Sequence, residues 1–192
     1  MAAAELSSRR CARRRWLPAG LGAALVRAYA AVWLGALAAA ALMTIVGRPL
    51  TLPARRLLGA TLSAQHNPPP QFGHVLVLAA HNIPIFSWPL LLGPFGAHRS
   101  RFQTHVADGL LVACIFVNTA QVGVGLAAYG WALLPYLPQV PLEWVAAALG
   151  VSAWLVQRRR ALTVREGFGV FALIVVVLVC AAALETFVVP HR

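Results

Sequence analysis

Charged residues are scarce in this chain, making up only 11% of its 192 residues, while hydrophobic residues make up 60%. A soluble domain of this size needs a larger polar fraction to cover its surface. The composition therefore excludes an ordinary soluble globular protein and indicates an all-α integral membrane protein surrounded by lipid.

Lysine is absent, and all 16 basic residues are arginine, which we interpret as the codon bias of a GC-rich bacterial genome. A net charge of +11 would favour nucleic acid as a partner if the basic residues lay along one polar domain. They are instead clustered between long uncharged runs. We therefore interpret them as signals of membrane topology and predict no nucleic-acid partner.

The sequence also lacks paired cysteines and the common catalytic motifs. Cys11, Cys114 and Cys180 are isolated, so a disulfide framework and a cysteine zinc site are excluded. No G-x-S-x-G, H-E-x-x-H, Walker or G-x-G-x-x-G motif occurs in a suitable context. We predict a protein that is not an enzyme and that uses no cofactor and no metal.

Uncharged runs long enough to cross a bilayer occur about five times, since a hydrocarbon core about 30 Å thick takes about 20 helical residues. The predicted spans are 28–47, 72–97, 106–129, 137–157 and 167–190. The first run exceeds the 7 to 15 residues typical of a signal-peptide core, so a retained anchor is the better interpretation. The fourth is the weakest, because only 144–157 is free of charge and Glu143 must enter the boundary.

Arginine placement predicts the orientation, because short cytoplasmic segments are enriched in basic residues. An N-terminus inside the cell puts twelve of the 16 arginines on the inner side and four on the outer side. An odd number of spans then leaves the C-terminus outside. Residues 1–27 are predicted to form an arginine-rich cytoplasmic tail facing anionic lipid headgroups, ahead of a transmembrane domain over 28–192. We expect a multi-pass protein of the cell membrane.

Two acidic residues are predicted to lie at similar depth near the outer face. Glu143 begins the descending fourth span, and Glu185 lies near the end of the ascending fifth. They could form a paired site for a cation, a proton or a partner's basic group. Alternatively, they are interfacial carboxylates in contact with headgroups and water. His66, His74 and His191 could approach them, but the spacing of these histidines is not a metal motif.

A second set of polar residues is predicted near the membrane midplane. His81 and Asn82 lie about ten residues into the second span, and Asn118 and Gln121 about twelve into the third. Hydrogen bonds between the two spans are feasible at this depth. Such residues often join helices, at about 0.6 to 2 kcal/mol per bond, although His81 could also be a ligand or carry a proton.

Prolines and glycines mark the second and third spans. Pro84, Pro89 and Pro94 each remove a helical donor, so the second helix is expected to be bent or broken. Broken helices expose backbone dipoles in transporters, whereas a simple kink would have its bonds satisfied by neighbouring helices. Gly123 and Gly125 are small enough to allow close helix approach.

The polar residues also follow the order of a known family pattern. That pattern has a paired-asparagine position, an Asn-Gly-x-x-x-Gly helix, Pro-His-Gly-x-x-Glu at a helix start, and a final helix closing with Glu and an aromatic before Pro. The corresponding segments here are His81-Asn82, Asn118-Thr119-Ala120-Gln121-Val122-Gly123, Pro138-Gln139-Val140-Pro141-Leu142-Glu143, and Leu184-Glu185-Thr186-Phe187 with Pro190. Over about 72–190 the chain thus resembles the stage II sporulation protein M family. Thr119, Gln139, Val140 and His81 depart from the pattern, and any role of the family's histidine does not carry over.

The resemblance implies a membrane component without catalytic activity. A family member in endospore formers is similar to a scaffold that holds cell-wall hydrolases at the septal membrane, and other members resemble permease-like subunits of exporters. The expectation is a scaffold or complex subunit whose partners are the lipid bilayer and other membrane or membrane-associated proteins, with a homo-oligomer as a further option. The alternative is a permease-like subunit driven by a separate ATPase or an ion gradient.

Overall fold

A computed structural model describes residues 16–46, 71–92 and 100–188. The described residues form five α-helices and one 3-10 helix, and no strand occurs among them. We number the α-helices α1 Leu21–Val46, α2 Phe72–Leu91, α3 Arg101–Tyr129, α4 Val140–Gln157 and α5 Val164–Phe187, with the 3-10 helix Gly130–Tyr136 between α3 and α4.

All five α-helices are long and apolar enough to cross a membrane. The prediction of an all-helical protein with about five candidate spans is therefore confirmed for the described residues. The ends of the predicted second and fifth spans, 93–97 and 189–190, lie outside those residues, as does most of the predicted tail.

Three helices begin earlier than the uncharged runs suggest, because helix starts are set by caps rather than by charge. At α1 the backbone turns at Gly20, whose φ of +82° suits glycine, and the Leu21 N–H donates to the carbonyl of Pro18. Arg27 lies inside α1 rather than before it. The long arginine side chain can reach the headgroup layer from within a helix, so it does not mark the helix start.

Capping boxes fix the starts of α3 and α5. Ser100 accepts from the Gln103 N–H while the Gln103 side chain accepts from the Ser100 N–H. Thr163 and Glu166 make the same reciprocal pair at the start of α5. Each box satisfies backbone donors that have no partner inside the helix.

Helix α4 lies at the centre of the bundle and packs against α1, α2 and α5. Small residues dominate its contacts, and Ala146, Leu149 and Ala153 are fully buried against Val170 and Ile174 of α5. Larger side chains meet where α4 faces α1. The indole rings of Trp33 and Trp144 meet edge to face with their centroids 4.6 Å apart.

The helices alternate in direction, so the bundle has two distinct ends. At one end, Trp16 before α1 contacts Phe168 near the start of α5. At the opposite end, Phe72 at the start of α2 packs on Phe187 at the end of α5, with ring centroids 5.6 Å apart. All the arginines of the described residues lie at the first end, which we call the arginine end. They are Arg27, Arg101, Arg158, Arg159, Arg160 and Arg165.

Two glycines allow helices to approach closely. A Cβ on Gly123 of α3 would lie 2.5 Å from the carbonyl oxygen of Ala36 in α1, and a Cβ on Gly150 of α4 would lie 2.6 Å from the carbonyl oxygen of Phe86 in α2. Gly125 is also buried in α3. Neither Gly123 nor Gly150 could be replaced by a larger residue without separating the helices.

The prolines of α2 do not break it over the described residues. The helix runs through Pro84 and Pro89 without interruption, and Pro94 lies outside the described residues. Pro89 is buried, and its ring faces Gly150 of α4. The proline ring is thus a packing element between α2 and α4, and the expected bend does not become a gap in this part of the helix.

Candidate functional site

A polar contact between α2 and α4 lies in the half of the bundle away from the arginine end. The Asn82 side chain donates from Nδ2 to Glu143 Oε1 over 3.4 Å, and both residues are half-buried. Glu143 is in the first turn of α4, where a carboxylate is also favoured by the helix dipole. A carboxylate among helices needs such a donor, because burying it unpaired is costly.

Glu185 of α5 lies near this contact. The carboxylates of Glu143 and Glu185 are close enough for their charges to interact, and His74 of α2 is close enough to interact with Glu185. We call Asn82, Glu143, Glu185 and His74 the acidic cluster. Three helices supply its members, so the cluster exists only when α2, α4 and α5 are assembled.

The chemistry available to the acidic cluster is that of two neighbouring carboxylates with one amide donor. Two negative charges in a region of low dielectric favour a cation or a partner's basic group between them. No group of three histidine, cysteine or acidic residues within the described ranges is arranged to hold a metal ion. A monovalent cation, a proton or a guanidinium group fits this composition better than a transition metal.

The other predicted midspan residues are not brought together in this way. The Asn118 side chain donates to the Cys114 carbonyl of its own helix over 2.9 Å. His81, Asn118 and Gln121 are all exposed on the outside of the bundle. Within the described residues no hydrogen bond joins the α2 pair to the α3 pair, and Asn82 instead has a partner on α4.

A cavity of about 100 Å³ lies beside Asn118, between α1, α2, α3 and α4. Its walls are mostly apolar, including Phe86, Leu111 and Trp144. Asn118 and Thr119 contribute an amide and a hydroxyl to the cavity wall. Thr119 is buried, and its hydroxyl donates to the Ile115 carbonyl over 2.9 Å. The cavity is large enough for a few water molecules, and a small polar group would be oriented by Asn118.

At the arginine end, Asp108 of α3 ties that helix to α4. Its Oδ1 accepts from the Trp154 indole N–H over 2.8 Å, and its Oδ2 lies 3.3 Å from Arg158 Nη1. Sequence reasoning missed this contact. An acid near the start of a predicted span and an arginine just after another span could have suggested it, but the pairing of α3 with α4 is a tertiary property.

Arg160 and Glu166 form the second ion pair of this end. Two guanidinium nitrogens donate to the two carboxylate oxygens over 2.9 and 2.7 Å. The same carboxylate also closes the capping box of α5. Its hydrogen bond raises the pKa of the Arg160 guanidinium above the ordinary value, so Arg160 stays charged at any physiological pH.

Comparisons of the chain with protein-family models, with curated proteins and with solved structures find no match. The function is therefore inferred from the sequence and from the geometry of the described residues.

Proposed function

We propose that this chain is a non-catalytic subunit or scaffold of a membrane protein complex, in keeping with its resemblance to the stage II sporulation protein M family. It binds a transmembrane helix of a partner through the outer faces of α2 and α3. The partner is a membrane or membrane-associated protein, and the setting is the cell membrane of a bacterium.

Uncovered polar side chains at midspan support this proposal. Polar groups at membrane depth normally face the bundle interior, because lipid offers them no hydrogen bonds. His81, Asn118 and Gln121 are nevertheless exposed on the described bundle. Asn118 lines a cavity together with Ala147 near the middle of α4, which indicates that its depth is central. A partner helix that covers these residues would supply the missing hydrogen bonds.

The exposed polar residues share one side of the bundle. On α3, Cys114, Asn118 and Gln121 follow the spacing of one helix face, and on α2, His81 lies one turn from Ile85 on the same face. Ile85 and Asn118 both line the cavity between the two helices. The two polar faces therefore flank one surface, which a single additional helix could cover.

The membrane orientation that we propose is N-terminus inside and C-terminus outside. The six arginines of the described residues gather at one end of the bundle, and an enrichment of arginine favours the cytoplasmic side. The acidic cluster then lies in the outer half of the bundle. A cytoplasmic arginine end gives the scaffold a basic surface beside its membrane-embedded binding face.

Photo-cross-linking in native membranes tests the proposal directly. A photoreactive amino acid is placed in the full chain at Gln121, and in a control chain at Phe116, which is 67% exposed on the opposite side of α3. We expect a protein adduct from position 121 and lipid adducts alone from position 116. Mass spectrometry of the adduct then identifies the partner.

Replacing the polar side chains of this face tests how much they contribute to partner binding. Asn118→Leu with Gln121→Leu is expected to weaken the adduct, because each interhelical bond contributes about 0.6 to 2 kcal/mol. Phe116→Leu is the control and should leave it unchanged. Lipid adducts alone at both positions would contradict the proposal, and an adduct with twice the mass of the chain would identify the partner as a second copy.

The acidic cluster favours a second candidate function, a permease-like subunit of an exporter. Two carboxylates beside an amide donor could bind a cation on a transport pathway, with energy from a separate ATPase or an ion gradient. Because α2 is continuous over the described residues, it supports a transport function less than a broken helix would. Recovery of an ATPase as the cross-linked partner would favour transport, whereas a cell-wall hydrolase would favour scaffolding.

Glu143→Gln separates the two candidates further, because glutamine keeps the size of the side chain and its ability to accept from Asn82. A transport subunit should lose partner-dependent ATP hydrolysis or ion flux in this variant while still binding its partner. A scaffold should behave as the unsubstituted chain does in both measurements.

A further inference from the structure

At the arginine end, a groove of about 630 Å³ opens between the start of α1 and the end of α4. Its volume lies within the range of about 300 to 1,000 Å³ that is common for small-molecule sites. One side of the groove consists of small residues around the start of α1, namely Ala19, Gly20, Ala23 and Ala24, and the other includes Leu155 of α4. These small side chains leave the space open.

Arg27 and residues 158–160 place four guanidinium groups around the groove. The ion pairs with Asp108 and Glu166 already neutralise two of them. Within residues 16–46, 71–92 and 100–188, Arg27 and Arg159 have no acidic partner. The groove therefore carries two positive charges that are not balanced by the described part of the protein.

The groove lies at the depth of lipid headgroups. Helix α1 has 26 residues, or about 39 Å at 1.5 Å per residue, which exceeds a hydrocarbon core of about 30 Å. The excess length is best assigned to the first turns of α1, because α4 ends in arginines at the same end of the bundle and arginines favour the membrane surface. Ala24, Leu155 and Val156 give the groove an apolar part of its wall beside the arginines. A ligand here meets both cationic and aliphatic side chains.

We propose that this groove binds the phosphate-bearing headgroup of an anionic phospholipid. Arg27 and Arg159 hold the phosphate oxygens, and the aliphatic wall contacts the upper part of the acyl chains. Basic pockets between membrane helices are suited to such headgroups. The start of α1 also presents backbone N–H groups and the positive end of a helix dipole near the groove. This binding site is independent of the partner-binding face on α2 and α3.

Lipid binding to the full purified chain in a neutral detergent tests the proposal. Native mass spectrometry measures binding of phosphatidylglycerol, with phosphatidylcholine as the neutral lipid. The test variant is Arg27→Gln with Arg159→Gln. The control is Arg101→Gln with Arg165→Gln, which removes the same charge from the same end but outside the groove.

We expect phosphatidylglycerol to bind preferentially and the groove variant to bind it about tenfold to a hundredfold more weakly, since each charge-assisted hydrogen bond contributes on the order of tenfold. The control variant should weaken binding by less than about threefold. Equal binding of the two lipids, or equal weakening by the two variants, would overturn the proposal.

A steric variant tests the groove without changing its charge. Ala23→Trp places an indole in the groove and should abolish preferential lipid binding, whereas Gly22→Trp, at an exposed neighbour with open space around it, should not. Inorganic phosphate distinguishes the source of the ligand. If phosphate alone binds the groove as tightly as the lipid does, the lipid part contributes nothing and the lipid assignment is wrong.

Discussion

The contact between α1 and α3 predicts a large effect of the smallest possible substitution, Gly123→Ala. The added Cβ would lie 2.5 Å from the Ala36 carbonyl oxygen, 2.7 Å from the Ala39 Cβ and 3.0 Å from the Ala40 backbone nitrogen. Favourable contacts between carbon atoms lie at about 3.5 to 4.0 Å, so the helices must separate by roughly 1 Å. Two of the three atoms belong to the backbone and cannot rotate away.

The expected change in stability is the balance of two opposing effects. Overpacking of a well-packed contact costs about 1 to 3 kcal/mol, while replacing a helical glycine with alanine stabilises the helix by about 0.5 to 1 kcal/mol. The steric clash outweighs the gain in helix stability. Gly123→Ala should therefore lower the free energy of unfolding by about 0.5 to 2 kcal/mol, and Gly123→Leu by more.

Gly109→Ala is a matched control on the same helix, because a Cβ at Gly109 meets no atom within 4 Å. This variant should be neutral or slightly stabilising. Thermal unfolding of the purified variants in detergent measures the difference, and cross-linking between cysteines placed in α1 and α3 reports their separation. Equal stability of the Gly123→Ala and Gly109→Ala variants would refute the close approach of α1 and α3.

Substitutions at three further residues test other contacts. Gly150→Ala should destabilise the bundle by about 0.5 to 2 kcal/mol, seen as a lower unfolding temperature, because its Cβ would meet the α2 backbone at 2.6 Å and the higher helix propensity of alanine offsets only part of that cost. Glu166→Ala should cost about 1 to 3 kcal/mol in the same assay, whereas Glu166→Gln should cost less because glutamine can keep the capping box with Thr163. Asp108→Ala should cost about 1 kcal/mol more than Asp108→Asn, since asparagine can still accept from Trp154 and the lost ion pair is partly exposed. Equal stability of the Asp108→Ala and Asp108→Asn variants would argue against this bond.

The number of helices could be predicted from the sequence because hydropathy measures transfer into lipid, and four of the five helices present much of their surface outward. Helix α4 is the weakest of the five predicted spans and yet is the most buried. Its surface contacts protein, so it is built from residues such as Ala146, Gly150 and Ala153 that permit close packing, and a scale for lipid transfer underestimates it.

Counting residues along the spans predicts which polar residues share a level, but it does not predict which of them make contact. Counting residues from the ends of the spans predicts that Glu143 and Glu185 lie at similar depth, and the two side chains are near enough for their charges to influence each other. The same counting puts Asn82 level with Asn118, but Asn82 bonds to Glu143 instead. Which helices are neighbours depends on side-chain packing across the whole bundle. Charge and depth alone do not specify it.

The central position of α4 also has a consequence for how the protein is made. Because most of α4 is buried by other helices, its surroundings are mainly protein rather than lipid. The helices that contact α4 from the preceding part of the chain are α1, α2 and α3, and α5 follows it during synthesis. The protein surroundings of α4 are thus complete only after α5 has been made.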